Sequence, residues 1–330
     1  MTRFTTPVTI VTGFLGSGKT TLINRILKES HGSRIAVIEN EYGEVGVDGE
    51  FLATGGDETI ILLQNGCLCC SVRGDLARAL QDLAGRGIAF DRVLIETTGI
   101  ADPGPVIQTF LAETRLQTLF HLDGTITLVD GHHRMIADRP EIRAQIGHAD
   151  RLLITKGDLL TGDAAELTAT LHGINPRAPV MLVDLHRIPM AELFDLLFET
   201  RAYAPDYIPA DELALLAAAP PAPVHVHDVV SCVYRSQAAV DLDKLNQLFD
   251  ALQERFGAKL WRCKGVIYAQ GHRQRLIVQG VQGAVQISAG LVWRPYQPRG
   301  STLVFIGQDF PPDWLLRGLR DCETASAKGS

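Results

Sequence analysis

The stretch Val8-Thr9-Ile10-Val11-Thr12-Gly13-Phe14-Leu15-Gly16-Ser17-Gly18-Lys19-Thr20-Thr21 decides the fold. Its first five residues are all β-branched, which suits a buried strand. From Gly13 the pattern is glycine, four residues, then Gly-Lys-Thr. Glycines let a backbone curl until several amides point at one phosphate. A helical pattern over 20–29 sets the positive end of a helix dipole at the same place. In that setting Lys19 neutralises the β- and γ-phosphates and the Thr20 hydroxyl ligates Mg²⁺. Strand, loop and helix in this order form the context in which the motif holds a nucleoside triphosphate. The expected nucleotide contacts are Gly13, Gly16, Ser17, Gly18, Lys19, Thr20 and Thr21, with Lys19 also catalytic.

Outward from this loop, short runs rich in Val, Ile and Leu recur at 8–12, 34–38, 59–63, 92–96, 125–129, 152–155 and 180–183. Helical stretches such as 74–84 lie between most of them. That alternation predicts a doubly wound α/β domain with a mostly parallel sheet, spanning residues 1–203. Such sheets bind ligands beyond the carboxyl ends of their strands. Five chemically loaded segments follow the predicted strands: 13–21, 39–48, 67–70, 96–99 and 155–158. Residues 204–223 carry Pro205, Pro209, Pro220, Pro221 and Pro223 and read as a linker, with one helical piece at 211–218. From 224 to 330 the strand runs 228–234, 260–269, 275–281 and 302–306 and the helix 242–256 predict a smaller α+β domain. In an extended segment His225 and His227 would share one face.

Thr155-Lys156-Gly157-Asp158 follows a strand and resembles the guanine-specifying Asn-Lys-x-Asp element, with Thr in place of Asn. A carboxylate at Asp158 accepts from both N1–H and the exocyclic amine of guanine, a donor pair adenine lacks. Lys156 can lay its stem along the base. The expected nucleotide is therefore GTP or GDP. Glu96-Thr97-Thr98-Gly99 stands where other GTPases place Asp-x-x-Gly. Glu96 is the expected second Mg²⁺ and catalytic residue, and the Gly99 amide senses the γ-phosphate. No glutamine or arginine stands out as a partner for the attacking water. Intrinsic turnover is accordingly expected to be slow, on the order of 10⁻⁴ to 10⁻² per second.

Three of the six cysteines, Cys67, Cys69 and Cys70, sit within four residues. Clustered thiols suggest a soft metal or redox chemistry. Three thiols so close do not easily complete a tetrahedral shell, so further ligands are expected from elsewhere, best from the acidic loop 39–48. A thiolate–carboxylate site suits Zn²⁺ or a neighbouring divalent ion. Cys232 and Cys263 read as core residues.

Net charge is −7, so no basic field invites nucleic acid. No apolar run reaches the length of a membrane span, and the first residues lack the pattern of a signal peptide. The expectation is a cytoplasmic protein with no nucleic-acid or membrane partner.

Gly13–Thr21, the loop Glu-Asn-Glu-Tyr-Gly-Glu-Val-Gly-Val-Asp at 39–48, Gly-Cys-Leu-Cys-Cys at 66–70 and Glu-Thr-Thr-Gly-Ile-Ala-Asp-Pro-Gly-Pro at 96–105 together resemble the CobW family of GTPases. The resemblance extends to Leu260–Gly265 and Leu276–Val281. It implies a P-loop GTPase fold, a CobW-type C-terminal domain and a metallochaperone or metal-dependent regulator, with Zn²⁺ or Co²⁺ as cargo. Carried over by position, the ligands implied are Glu39, Glu44 and Cys69, joined by Cys67 and Cys70. A metal-requiring client and metal-dependent oligomerisation are the partners implied. Many relatives carry a histidine-rich stretch between the domains, whereas here only His225 and His227 remain. Two other readings stand beside this one: a GTP-regulated metal or redox sensor without delivery, and a P-loop small-molecule kinase.

Overall fold

A computed structural model describes residues 5–29, 32–39, 60–64, 72–85, 90–132, 136, 138–160, 163–204 and 221–324. The chain divides into two compact units, Met1–His172 with Ala178–Tyr203 and Gly173–Arg177 with Ala204–Ser330.

In the first unit the elements run β1 (Thr6–Gly13), α1 (Lys19–Lys28), β2 (Ile35–Glu39), β3 (Ile60–Gln64), α2 (Val72–Gly85), β4 (Arg92–Glu96), α3 (Gly104–Ala112) and α4 (Thr114–Gln117). Then follow β5 (Phe120–Asp130), α5 (Pro140–His148), β6 (Arg151–Thr155), α6 (Ala164–Ile174), β7 (Val180–Leu182) and α7 (Met190–Leu197). The strands form one parallel sheet of seven in the order β3-β2-β4-β1-β5-β6-β7. The expected doubly wound α/β fold is thus present. The chain winds from β1 out to β3 and back to β4, then crosses β1 to β5. The strand order reverses around β1, the place where such sheets open a ligand crevice.

The apolar runs became strands because both faces of the sheet are covered. Val11, Ile35, Val37, Leu94, Ile126, Leu128 and Leu153 are buried against Leu22, Ile23 and Ile26 of α1 and Leu193 and Leu197 of α7. The spacing of the α1 residues, i, i+1 and i+4, makes one apolar stripe. Each such side chain contributes about 1.5–3 kcal/mol when fully buried.

The second unit is one antiparallel sheet in the order β12-β11-β10-β13-β9-β8. Its strands are β8 (Val224–Val226), β9 (Val229–Ser236), β10 (Leu260–Ile267), β11 (Gln274–Val281), β12 (Ala284–Val292) and β13 (Ser301–Gln308). Two helices, α8 (Leu242–Phe256) and α9 (Pro312–Asp321), share one core with it. Phe305 sits fully buried at the centre, paired in register with Cys232 on one side and Cys263 on the other. Burial pushes the Cys232 thiol up to about 12, with the Asp313 charge adding to it. Burial also raises Cys263, so both stay protonated core groups, as their sequence setting suggested.

Two expectations need correction here. The pattern from 224 onward pointed to a single helix, but α9 is a second one. His225 lies in β8, whereas His227 occupies the following turn with φ of 57°. The alternation that would have given both rings one face is therefore broken. The proposed helix at 211–218 lies outside the described residues.

Replacing Phe305 by Ala should destabilise the C-terminal unit by about 3–5 kcal/mol, because its neighbours on two strands cannot close the gap. Urea unfolding followed by tryptophan fluorescence, which reports Trp261, Trp293 and Trp314, measures it.

Candidate nucleotide site

β1 ends at Gly13, and the loop turns through Gly16 and Gly18 at φ of 77° and 101° before α1 begins. Gly18 is the helix N-cap, in a left-handed conformation that a side chain would strain, and an added Cβ would meet Leu185 Cδ1 at 2.9 Å. No side chain caps this helix end. Its first amides therefore remain available to an anion, in line with the dipole.

Lys19 stands on the first turn of α1 with only 7% of its surface exposed. Its Nζ donates to Gly13 O at 2.7 Å and to Phe14 O at 3.2 Å. Burial lowers its pKa, and the Glu96 charge works in the opposite direction. An ammonium buried against neutral carbonyls favours the arrival of negative charge. Beside it the Ser17 hydroxyl is fully buried and has no partner among the described residues. An orphaned donor inside a glycine cradle, next to a buried cation, fits a phosphate oxygen. Thr20 is exposed and Thr21 partly so at the same helix start.

The second wall is the end of β4. Glu96 pairs in register with Val11 of β1 and Glu39 of β2. Thr97 N donates to Val11 O at 3.0 Å, and its hydroxyl donates to Thr12 Oγ1 at 2.7 Å. Gly99 is buried against the phosphate loop. A Cβ there would fall 2.6 Å from Leu15 Cδ2 and 2.8 Å from Leu15 N, so only glycine lets the two loops approach this closely.

The third wall follows β6. Thr155 is buried, and its hydroxyl donates to Ser17 O of the phosphate loop at 2.7 Å. The residue that departs from the usual Asn therefore still ties this loop to the phosphate loop. Lys156 takes φ of 54°, and its Nζ lies 2.7 Å from Asp130 Oδ2. Asp158 is exposed at the same edge, in the 3-10 turn Gly157–Leu159. Asp130 was missed by sequence reasoning. The available signal was an acid at the carboxyl end of a β-branched strand, and it proves to be the register partner of Thr155.

The structure thus gathers Gly13, Gly16, Ser17, Gly18, Lys19, Thr20, Thr21, Glu96, Gly99, Thr155, Lys156 and Asp158 along one edge of the sheet. The backbone of Glu39 ends β2 on that edge. Gln64, its register partner, ends β3 there, three residues before Cys67. Glu44, Cys67, Cys69 and Cys70 lie outside the described residues. Among the described residues no three His, Cys, Asp or Glu side chains gather into a metal-holding group, and no helix is long and apolar enough to cross a membrane.

Two substitutions probe this geometry. Lys19→Ala should lower nucleotide hydrolysis at least about 100-fold, measured as phosphate release. Thr155→Val keeps the shape and deletes the tie to Ser17. It should weaken nucleotide binding by about 1 kcal/mol, or about fivefold, in a titration with a fluorescent guanine nucleotide, while Thr155→Asn should bind as the native protein does.

Comparison with known proteins agrees with this geometry. The model of the CobW/HypB/UreG nucleotide-binding domain matches residues 7–182, and that of the cobalamin synthesis protein cobW C-terminal domain matches residues 229–323. The chain is 38% identical over 328 residues to the zinc chaperone YjiA of Escherichia coli, covering 95% of this chain and 98% of the relative. It is 32% identical over 355 residues to the zinc chaperone CobW of Pseudomonas aeruginosa, covering 95% and 90%. The crystal structure of Zn(II)-bound YjiA GTPase from E. coli superposes with a TM-score of 0.74 at 33% identity, over 97% of this chain and 100% of that one. With both domain models matched in order and a phosphate loop, a Glu96 wall and a base-side loop on one sheet edge, the chain belongs to the CobW/HypB/UreG family.

Proposed function

We propose that this protein is a GTP-hydrolysing metallochaperone that carries zinc to a client and couples metal affinity to the state of the nucleotide. The observation that carries the reading is the row Gln64, Glu39, Glu96 and Val11, register partners on four adjacent strands. One end of that row enters the phosphate loop, and the other leads toward the cysteine segment. With strands about 4.8 Å apart, β1 and β3 are separated by roughly 14 Å. The segment that follows Glu39 starts from β2, between those two strands, and in this reading it answers both sites. The names of the relatives, two zinc chaperones and a zinc-regulated GTPase metalloprotein activator of Schizosaccharomyces pombe, support zinc over cobalt.

In this reading Lys19 and the α1 amides hold the β- and γ-phosphates, and Asp158 selects guanine. Thr20 and Glu96 supply the oxygen ligands that suit Mg²⁺, whose chemistry there is to neutralise charge developing between the β- and γ-phosphates. Gly99, pressed against Leu15, is the reporter of the terminal phosphate. Glu39, Glu44, Cys67, Cys69 and Cys70 are the ligand set for zinc as cargo. With no added partner turnover stays slow, and release to the client follows hydrolysis. The protein acts in the cytoplasm.

Zinc titration of the purified protein, loaded with GDP or with a non-hydrolysable GTP analogue, tests the coupling. The two dissociation constants should differ at least about fivefold. Cys69→Ala should weaken zinc at least about tenfold and leave GDP affinity within about twofold. Unchanged zinc affinity in Cys69→Ala would mean the thiol site is misassigned. An apo-client should gain zinc only with hydrolysable GTP, and one that gains none in either nucleotide state would favour a sensor over a delivery protein.

A further inference from the structure

Gln145 lies on α5 with none of its surface exposed. Its single amide nitrogen donates to Gly99 O and to Ala101 O, both at 3.1 Å. The backbone of Gln145 is itself pinned, because the Thr127 hydroxyl of β5 donates to Gln145 O at 2.9 Å. Thr127 in turn is the register partner of Thr12 at the mouth of the phosphate loop. Near the end of α5, His148 Nε2 lies 3.2 Å from Asp102 Oδ1, and that oxygen accepts from Gly104 N at 2.8 Å at the start of α3. The Gly99–Asp102 loop is therefore held from one side by α5. From the other side Leu15 of the phosphate loop leaves no room for a Cβ at Gly99.

Buried loop carbonyls need hydrogen-bond partners, and this loop takes them from a side chain on a neighbouring helix. Here two loop carbonyls, at positions i and i+2, converge on one buried nitrogen. Both bonds depend on the direction of the Gly99 and Ala101 carbonyls, so a rotation of this loop breaks or remakes them together. The Gln145 Oε1 atom is buried and unpartnered among the described residues, beside a cavity of about 80 Å³ lined by Phe14, Leu15 and Ile142. That volume admits about two or three waters, which could donate to Oε1 when the side chain turns.

We propose that Gln145 is a positioning residue for the nucleotide response. It fixes the Gly99 loop in register with the phosphate loop, and its paired bonds are remade when the nucleotide changes between di- and triphosphate. The inference rests on the GTPase reading above, in which Gly99 senses the γ-phosphate.

Gln145→Met keeps the length and removes the donor. GDP contacts the phosphate loop and the base-side loop but not Gly99, so its affinity should stay within about twofold. Affinity for a non-hydrolysable GTP analogue should fall about tenfold, and kcat for GTP should fall by a similar factor with little change in KM. Equal loss for both nucleotides, or no loss for either, overturns the proposal, since each marks a side chain that only supports the fold. Should Gln145→Met not fold, hydrogen–deuterium exchange on the native protein decides instead. Exchange over residues 99–104 and over 140–148 should change together between the GDP and analogue states. A change confined to 99–104, or no change in either segment, overturns the proposal. Failure of the native protein to hydrolyse GTP at all would instead sink the GTPase reading itself.

Discussion

A lysine ammonium buried at the start of a helix is the constraint on which the nucleotide site turns. Lys19 is held by two backbone carbonyls that cannot neutralise it. Taking a cation out of water is costly unless negative charge is near. The surroundings are arranged for charge of that sign to arrive: an uncapped helix end and an orphaned Ser17 hydroxyl, while burial holds the lysine pKa down against the opposing pull of Glu96. The same demand explains the glycines. An amide cradle around a phosphate needs left-handed backbone at Gly16 and Gly18, and the neighbouring walls then close to within van der Waals contact.

That closeness makes the site a set of coupled walls. Leu15 of the phosphate loop touches Gly99, the Ser17 carbonyl is tied to Thr155, and Thr12 is tied to Thr97. The phosphate loop is thus fastened to the segments that follow β4 and to the end of β6, and each tie joins one named pair of groups. The Asp130–Lys156 ion pair places the base-side lysine in the same network.

Much of this was legible in the sequence because local chemistry dictated it. The Gly13–Thr20 pattern fixes a strand, a loop and a helix at once. The apolar run at 92–96 became a strand with those bounds and that at 152–155 one that starts a residue earlier, at Arg151, since the centre of a strand buried on both faces is apolar. What stayed hidden was relational. Asp130 acquires its role only when parallel pairing sets it beside Thr155, and Gln145 only when α5 packs over a loop more than 40 residues earlier. β12 was not seen because Ala284, Ser288 and Gly290 dilute its alternation at a sheet edge. α9 was not seen because Pro311 precedes it, Pro312 opens it and Gly318 interrupts it. That glycine has a packing reason, since a Cβ there would lie 2.6 Å from Leu248 Cδ1 of α8. His227 failed the simple alternation rule because a turn intervened.

The departure of Thr155 from the usual Asn shows how substitution at such a site is to be weighed. What the position requires is a short donor that reaches the phosphate loop, and a threonine hydroxyl meets that need at 2.7 Å. A β-branched residue also suits the last position of a buried strand better than Asn does. The exchange therefore keeps the tie and improves the strand. A match judged by letters would have counted it as a defect. A match judged by what the atom must do sees the same tie to the phosphate loop. By that measure the Glu96 position deserves the same reading. Glutamate extends one methylene farther than aspartate from a strand end whose register neighbour is Glu39. The longer acid keeps a carboxylate at this edge while its backbone stays in register with Val11 on one side and Glu39 on the other.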